Sequence, residues 1–158
     1  MNDLPVMETG ITVKPHHFMD IIKLYGSGIR EFVPDQKMNH DFYRIANAVV
    51  ENPRTQLHLT IEADDICVPC VKCQMNECID TLDQIPDFQT KNEYNRTLDS
   101  RLIKELSLDI HKAYEAQELR DIMWKHHDVI YKVWKEENDA ITERRHDLFV
   151  KGAKEYLS

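Results

Sequence analysis

Cys67-Val68-Pro69-Cys70-Val71-Lys72-Cys73-Gln74-Met75-Asn76-Glu77-Cys78 contains all four cysteines of the 158-residue chain, spaced C-x2-C-x2-C-x4-C. Thiolates this close together are metal ligands or redox centres. A C-x2-C-x2-C run lets successive thiolates converge on the corners of a compact cluster, as in bacterial ferredoxin-type [4Fe-4S] sites. In that pattern the next cysteine comes after three residues and precedes proline. Here the gap is four residues and Ile79 follows Cys78, so the last part of the ferredoxin signature is missing, as is a second cluster motif. The expectation is one [4Fe-4S] cluster on Cys67, Cys70, Cys73 and Cys78.

Zinc is the main rival, because four thiolates make a tetrahedral site with sulfur at about 2.3 Å from the ion. Zinc ribbons bring two C-x2-C turns together from separate hairpins, whereas only Val71 and Lys72 separate Cys70 from Cys73. A larger cluster suits one continuous loop better. A third reading is a metal-free redox pair of Cys67 and Cys70 with a lowered pKa. If all four thiolates bind a cluster, electron transfer or a structural role is favoured. If three bind, one iron is open and can act as a Lewis acid, which would make the protein an enzyme.

Other polar residues carry weaker signals. His16 and His17 open a predicted helix, where their rings either reach a cluster or sit as a surface or capping pair. Asp64 and Asp65 are turn formers for the cysteine loop, with a catalytic role the less favoured reading. His126, His127 and His146 lie on helices without a second ligand at i+4 and read as solvent-facing or core residues. Trp124 and Trp134 read as packing. The sequence has no P-loop, no G-x-G-x-x-G and no G-x-S-x-G, so nucleotide-dependent and serine-hydrolase chemistry have no local support.

Composition sets the outer limits. Twenty Lys plus Arg against 28 Asp plus Glu give a net charge of -8, which opposes broad attraction to nucleic acid or anionic lipid. The amino terminus, Met1-Asn2-Asp3-Leu4-Pro5, lacks a basic start with an apolar stretch after it. Strictly apolar runs reach only about three residues, too short to span a membrane. These features predict a cytoplasmic protein with no nucleic-acid or membrane partner, acting with a protein redox or interaction partner. In such a compartment thiols stay reduced.

The elements that must position these groups follow from periodicity. Lys14 to Gly26 reads as a helix, with Pro15 at its first position, Phe18, Ile21, Ile22 and Tyr25 on one stripe, and Gly26 as the stop. Residues 27–37 read as a loop and 39–51 as a second helix ended by Asn52-Pro53. Gln56 to Ile61 alternates like a half-buried strand, with His58 facing away from the core. Pro69 and the close-set cysteines predict a loop with one turn of helix. Beyond residue 88 the pattern is helical almost to the end, with Asp121/Lys125, Asp128/Lys132 and Asp147/Lys151 at the supporting i,i+4 spacing. The expected fold is mainly α, an α+β domain with minimal sheet over residues 1–158 and a cysteine-rich metal loop.

Two stretches together, Ile11-Thr12-Val13-Lys14-Pro15-His16-His17-Phe18 and Asp64-Asp65-Ile66-Cys67-Val68-Pro69-Cys70, resemble a family of small, uncharacterised bacterial and archaeal proteins held to bind iron-sulfur clusters. In that family an R-P-H-H-L or R-G-H-H-L segment precedes D-D-I-C by several tens of residues. Leu98 to Leu106 resembles the helix that follows. The resemblance covers residues 11–106 and leaves the C-terminal helices of 107–158 unplaced. It implies an iron-sulfur site with His16 and His17 near it as hydrogen-bond donors or alternative ligands. Family members often carry a cysteine three residues after the second histidine, where this chain has Asp20. Either Cys73 or Cys78 replaces that thiol, or Asp20 completes the site, with Asp65 as another nearby acidic group.

Overall fold

A computed structural model of the chain describes residues 10–34, 41–67, 73–74, 77–78 and 90–156, with backbone alone at 73–74 and 77–78. Strand β1 (Ile11–Val13) leads through Lys14 into helix α1 (Pro15–Gly26), as the Pro15 start and Gly26 stop predict. Helix α2 (Phe42–Glu51) follows, ended at Asn52, and then strand β2 (Gln56–Leu59). Leu57 and Leu59 are buried while His58 is half-buried, the alternation expected of this strand.

Two short strands, β3 (Cys73–Gln74) and β4 (Glu77–Cys78), pair antiparallel. The expectation of a plain loop with one helical turn here is corrected to a turn at residues 65–67 and this hairpin. Helix α3 (Lys91–Glu105) begins at Thr90, whose hydroxyl accepts from the Glu93 backbone N–H, a Thr-x-x-Glu start. Strand β5 (Ala113–Glu115) interrupts the expected run of helices, which resumes with α4 (Ala116–Lys125), α5 (Val129–Val133) and α6 (Asp139–Tyr156).

The larger sheet has the order β1-β2-β5, parallel between β1 and β2 and antiparallel between β2 and β5. Helices and this small sheet make the chain mainly α with a minor β component, as expected from sequence. No helix among the described residues is long and apolar enough to cross a membrane. Val13, Leu57 and Tyr114 of the sheet meet Phe18, Ile21, Ile22, Leu102, Met123, Trp134 and Phe149 of the helices in one apolar cluster.

Helix α1 packs most extensively on α6. Gly26 and Gly152 allow it. A Cβ on Gly152 would stand 1.9 Å from the Ile22 carbonyl oxygen, and one on Gly26 would stand 2.0 Å from that of Leu148. The obstructing atoms are backbone on both sides, so neither helix can yield by turning a side chain. Asp20 on α1 reaches Arg145 on α6 at 3.2 Å, and Arg145 also lies over the Trp134 ring. Two of the expected i,i+4 pairs give way to other contacts, with Lys132 reaching Glu105 and Lys151 reaching Glu155. A bidentate contact of Arg101 on α3 with Glu136, at 2.8 and 2.6 Å, ties α3 to the segment before α6.

Two predictions follow from this packing. Gly152→Ala forces α1 and α6 apart and lowers the unfolding free energy by about 3 kcal/mol, the upper range for overpacking; an urea-denaturation loss below about 0.5 kcal/mol would refute the close approach. The hydrogen bonds of Arg101 hold the Glu136 carboxyl below its ordinary 4.5, against the smaller opposing effect of burial. A depressed folded pKa means that the stabilisation is complete above 4.5 and is lost as pH falls through the folded value. The stability difference between the natural chain and Glu136→Gln is therefore expected to be about 1 kcal/mol at neutral pH and to shrink in acid. A difference that stays constant down to about pH 3 would show that the pair does not titrate in this way.

Candidate metal centre

The first turn of α1 has no acidic residue and no side-chain cap of its own. Its exposed N–H groups and partial positive charge call for acceptors. Two buried carboxylates from distant segments supply them. Asp99 of α3, fully buried, accepts the His16 backbone N–H at 2.8 Å and faces His16 Nδ1 with both oxygens at 2.9 and 3.0 Å. Asp64, 1% exposed, accepts the Lys14 backbone N–H and faces His17 Nδ1, both at 2.7 Å and both through Oδ2. Its other oxygen accepts the backbone N–H groups of Ile66 and Cys67, each at 3.1 Å.

Asp64 thus joins the start of α1 to the start of the cysteine segment. His17, Asp64 and Cys67 each bring one ligand-type atom within 4.8 Å of the other two. The His16 and His17 rings lie side by side, 4.4 Å between centroids. In each ring the Nδ1 nitrogen is occupied by a carboxylate. With Nδ1–H donating, Nε2 keeps its lone pair, the arrangement by which proteins fix the tautomer of a metal-binding histidine.

The electrostatics are divided. Burial opposes charge on His16, but the Asp99 carboxylate outweighs it and raises the histidine's pKa. Burial likewise opposes charge on Asp64, yet His17, the Lys14 N–H and the Lys14 side chain hold its carboxyl well below the usual range. Cys67 is pushed up to about 12 by burial and by the Asp64 charge. An anion beside a half-buried thiol favours the protonated thiol until a cation arrives.

The other expected site residues are distributed unequally. Cys73 and Cys78 are register partners in the β3–β4 hairpin. Cys70 lies outside the described residues. Asp20 faces Lys23 and Arg145. Asp65 ties the loop to β1, accepting the Thr12 backbone N–H through Oδ2 at 2.9 Å and donating its own N–H to the Thr12 carbonyl. Asp64 is the turn former that sequence suggested, but its bonds to Lys14 and His17 were not foreseen. Asp99 was missed as a site residue. The available signal was a carboxylate at i+1 from Leu98 and i-3 from Leu102, on the flank of the buried stripe of α3.

Residues 35–137 match the model of the family described as "Protein of unknown function (DUF1284)". The chain belongs to this family. The match takes in Asp64, the cysteine segment and Asp99, while His16 and His17 lie before it and α6 after it. This agrees with the resemblance to an uncharacterised family. No curated protein and no solved structure matches the chain.

Removing the Asp64 carboxylate leaves the Lys14 and Ile66 amides and the His17 ring without this acceptor, while the Cys67 amide keeps the Asp64 carbonyl. In this DUF1284 chain, Asp64→Ala is expected to cost about 3–5 kcal/mol of unfolding free energy, and Asp64→Asn less because the amide oxygen still accepts. The check is urea denaturation of both variants, and a loss under about 1 kcal/mol for the alanine variant would show that the carboxylate is not the anchor.

Proposed function

We propose that this protein holds one [4Fe-4S] cluster through Cys67, Cys70, Cys73 and Cys78, with His17 and His16 beside it as hydrogen-bond donors or alternative ligands, and serves electron transfer or a structural or regulatory role toward a protein partner. The observation that carries this reading is the meeting of the P-H-H and D-D-I-C segments, 47 positions apart at His17 and Asp64, around the Asp64 carboxylate. The same carboxylate accepts from the start of the P-H-H helix and from the amides that lead into the first cysteine. The His17 ring stands within reach of Cys67 with its Nδ1 engaged by Asp64, and the His16 ring lies beside that of His17.

The donor chemistry fits a metal centre. Cys67 offers sulfur and His17 nitrogen next to a buried anion, and a thiol that coordinates a cation loses its proton outright despite a raised intrinsic pKa. The register pairing of Cys73 with Cys78 puts two of the four cysteine positions side by side, which supports a shared centre. A cluster of this kind supplies one-electron transfer at a potential set by hydrogen bonding, net charge and burial. The chain's own contribution is to fix the geometry. Asp64 holds the Ile66 and Cys67 amides, Asp65 fastens the same turn to β1, and His17 presents a polarised ring beside it, with the His16 ring packed against that of His17.

The mixed set of His17, Asp64 and Cys67 also favours a second reading, a tetrahedral zinc in an interaction module. Iron, sulfide and zinc analysis of protein purified without oxygen, with a visible spectrum of the same sample, separates the two. The expected result is about four irons and four sulfides per chain with broad visible absorption, most of it lost in Cys67→Ser. One zinc and no colour would overturn the cluster in favour of zinc, and protein with neither metal would overturn both.

A further inference from the structure

His127, Asp128 and His146 share no residue with the cysteine site, and their arrangement does not depend on how that site is read. His127 and Asp128 lie in the turn between α4 and α5, and His146 lies on α6. Sequence alone gave these histidines no partner because 19 positions separate them, and the fold brings His127 Nδ1 to 2.7 Å from His146 Nε2. Asp128 Oδ1 stands 3.3 Å from His127 Nδ1 and 3.5 Å from His146 Nε2. Three ligand-type atoms therefore form a small triangle.

The triangle has the dimensions of a zinc-class site. Ligands at about 2.0–2.1 Å from a tetrahedral ion stand about 3.3 Å from one another. Both Asp128 distances already agree with that edge, and only the two ring nitrogens must separate, by about 0.6 Å, to admit the ion. His146 Nδ1 faces Asp147 Oδ1 at 3.1 Å, so an N–H there donates to a carboxylate and leaves the Nε2 lone pair directed at His127. His146 Nε2 then accepts from His127 Nδ1–H in the free protein. When an ion takes the place of that shared hydrogen, the His127 proton moves to Nε2 through water and Nδ1 binds, with no net proton released.

The surroundings suit an exchangeable ion. The Tyr131 ring lies 4.9 Å from that of His146, limiting how far the latter can turn. An open cleft of about 280 Å³ lined by His126, His127, Asp128, Lys125 and the Glu105–Lys132 pair gives solvent access, and the Asp128 side chain is 83% exposed. Water or a further oxygen ligand can complete the coordination from that side. Imidazole nitrogen suits zinc, copper and nickel, whereas calcium and magnesium prefer all-oxygen sites. We infer that His127, His146 and Asp128 form a second metal site, accessible from solvent and selective for zinc-class divalent ions, with Asp147 positioning His146.

The test is calorimetric titration of zinc into the full chain as purified, repeated with His127→Gln, His146→Gln and Asp147→Asn. Cobalt absorption on the same proteins assigns the ion, because thiolate-bound cobalt gives strong sulfur-to-metal charge transfer and cobalt on imidazole and carboxylate does not. The expected result is one zinc per chain of the sulfur-free class, weakened more than tenfold in both glutamine variants and about tenfold in Asp147→Asn. Should His146→Gln fail to fold, His127→Gln, half-buried in the turn, and the exposed Asp128→Asn carry the comparison. A natural chain that binds no sulfur-free zinc, or variants at these two positions that bind it as tightly as the natural chain, would overturn the site.

Discussion

The buried carboxylate of Asp64 is the constraint around which the rest of the candidate centre is arranged. An ion taken out of water without partners costs several kcal/mol, so this position is tenable only where donors converge on it. They come from three places: the Lys14 amide at the entrance of α1, the His17 ring two residues beyond the helix start, and the Ile66 and Cys67 amides of the following loop. Satisfying one anion thereby fixes the relative position of two segments that share no secondary structure. Asp65 adds a second fastening by extending the β1 backbone contacts. The residues leading into Cys67 are consequently held both by these backbone bonds and by Ile66, which is buried in the core.

Helix α1 converts that local anchor into a defined orientation of the two histidines. Its amino terminus is held by Asp64 and Asp99, its middle by Asp20 on Arg145, and its carboxy terminus by the backbone approach of Gly26 to Gly152. A helix fixed at three levels has little freedom to rotate or slide. The rings of His16 and His17 inherit this rigidity through their Nδ1 contacts, which matters because ligand placement tolerates errors of only about 0.5 Å. Trp134 and Phe149, fully enclosed in the core, support the same α1 and α6 pair from below.

Local patterns were legible in the sequence where one segment determines its own state. The Pro15 start and Gly26 stop of α1, the alternation of β2 and the apolar stripes of α3 to α6 depend on neighbours within a few residues. Strand β5 was not legible, because Ala113-Tyr114-Glu115 is short and becomes a strand only by pairing with Gln56 to His58. The β3–β4 hairpin was hidden by its cysteines, which dominate the composition without indicating a register. For the site, Cys67, His17 and the turn-forming role of Asp64 could be named from residue type and spacing. Asp99 offered only its place beside the buried stripe of α3, since its role depends on α3 meeting the start of α1, and the pairing of His127 with His146 depends on α6 meeting the turn between α4 and α5.

Both histidine clusters use one device, a carboxylate on one ring nitrogen that commits the other to a neighbour, and they differ in what that neighbour is. At Cys67 the surroundings are half-buried and anionic, and the donor set includes a thiol, the ligand type of soft centres. At His127 and His146 they are open, with nitrogen and oxygen donors only. If the loop carries a cluster, the two proposed centres draw on different metals and do not compete. If the loop instead carries zinc, both draw on one pool, and the thiolate-rich site fills first because its bound ion is shielded and its ligands are softer. The occupancy of the solvent-facing site would then report the zinc left over once the loop is full, a division of labour that follows from donor type and burial alone.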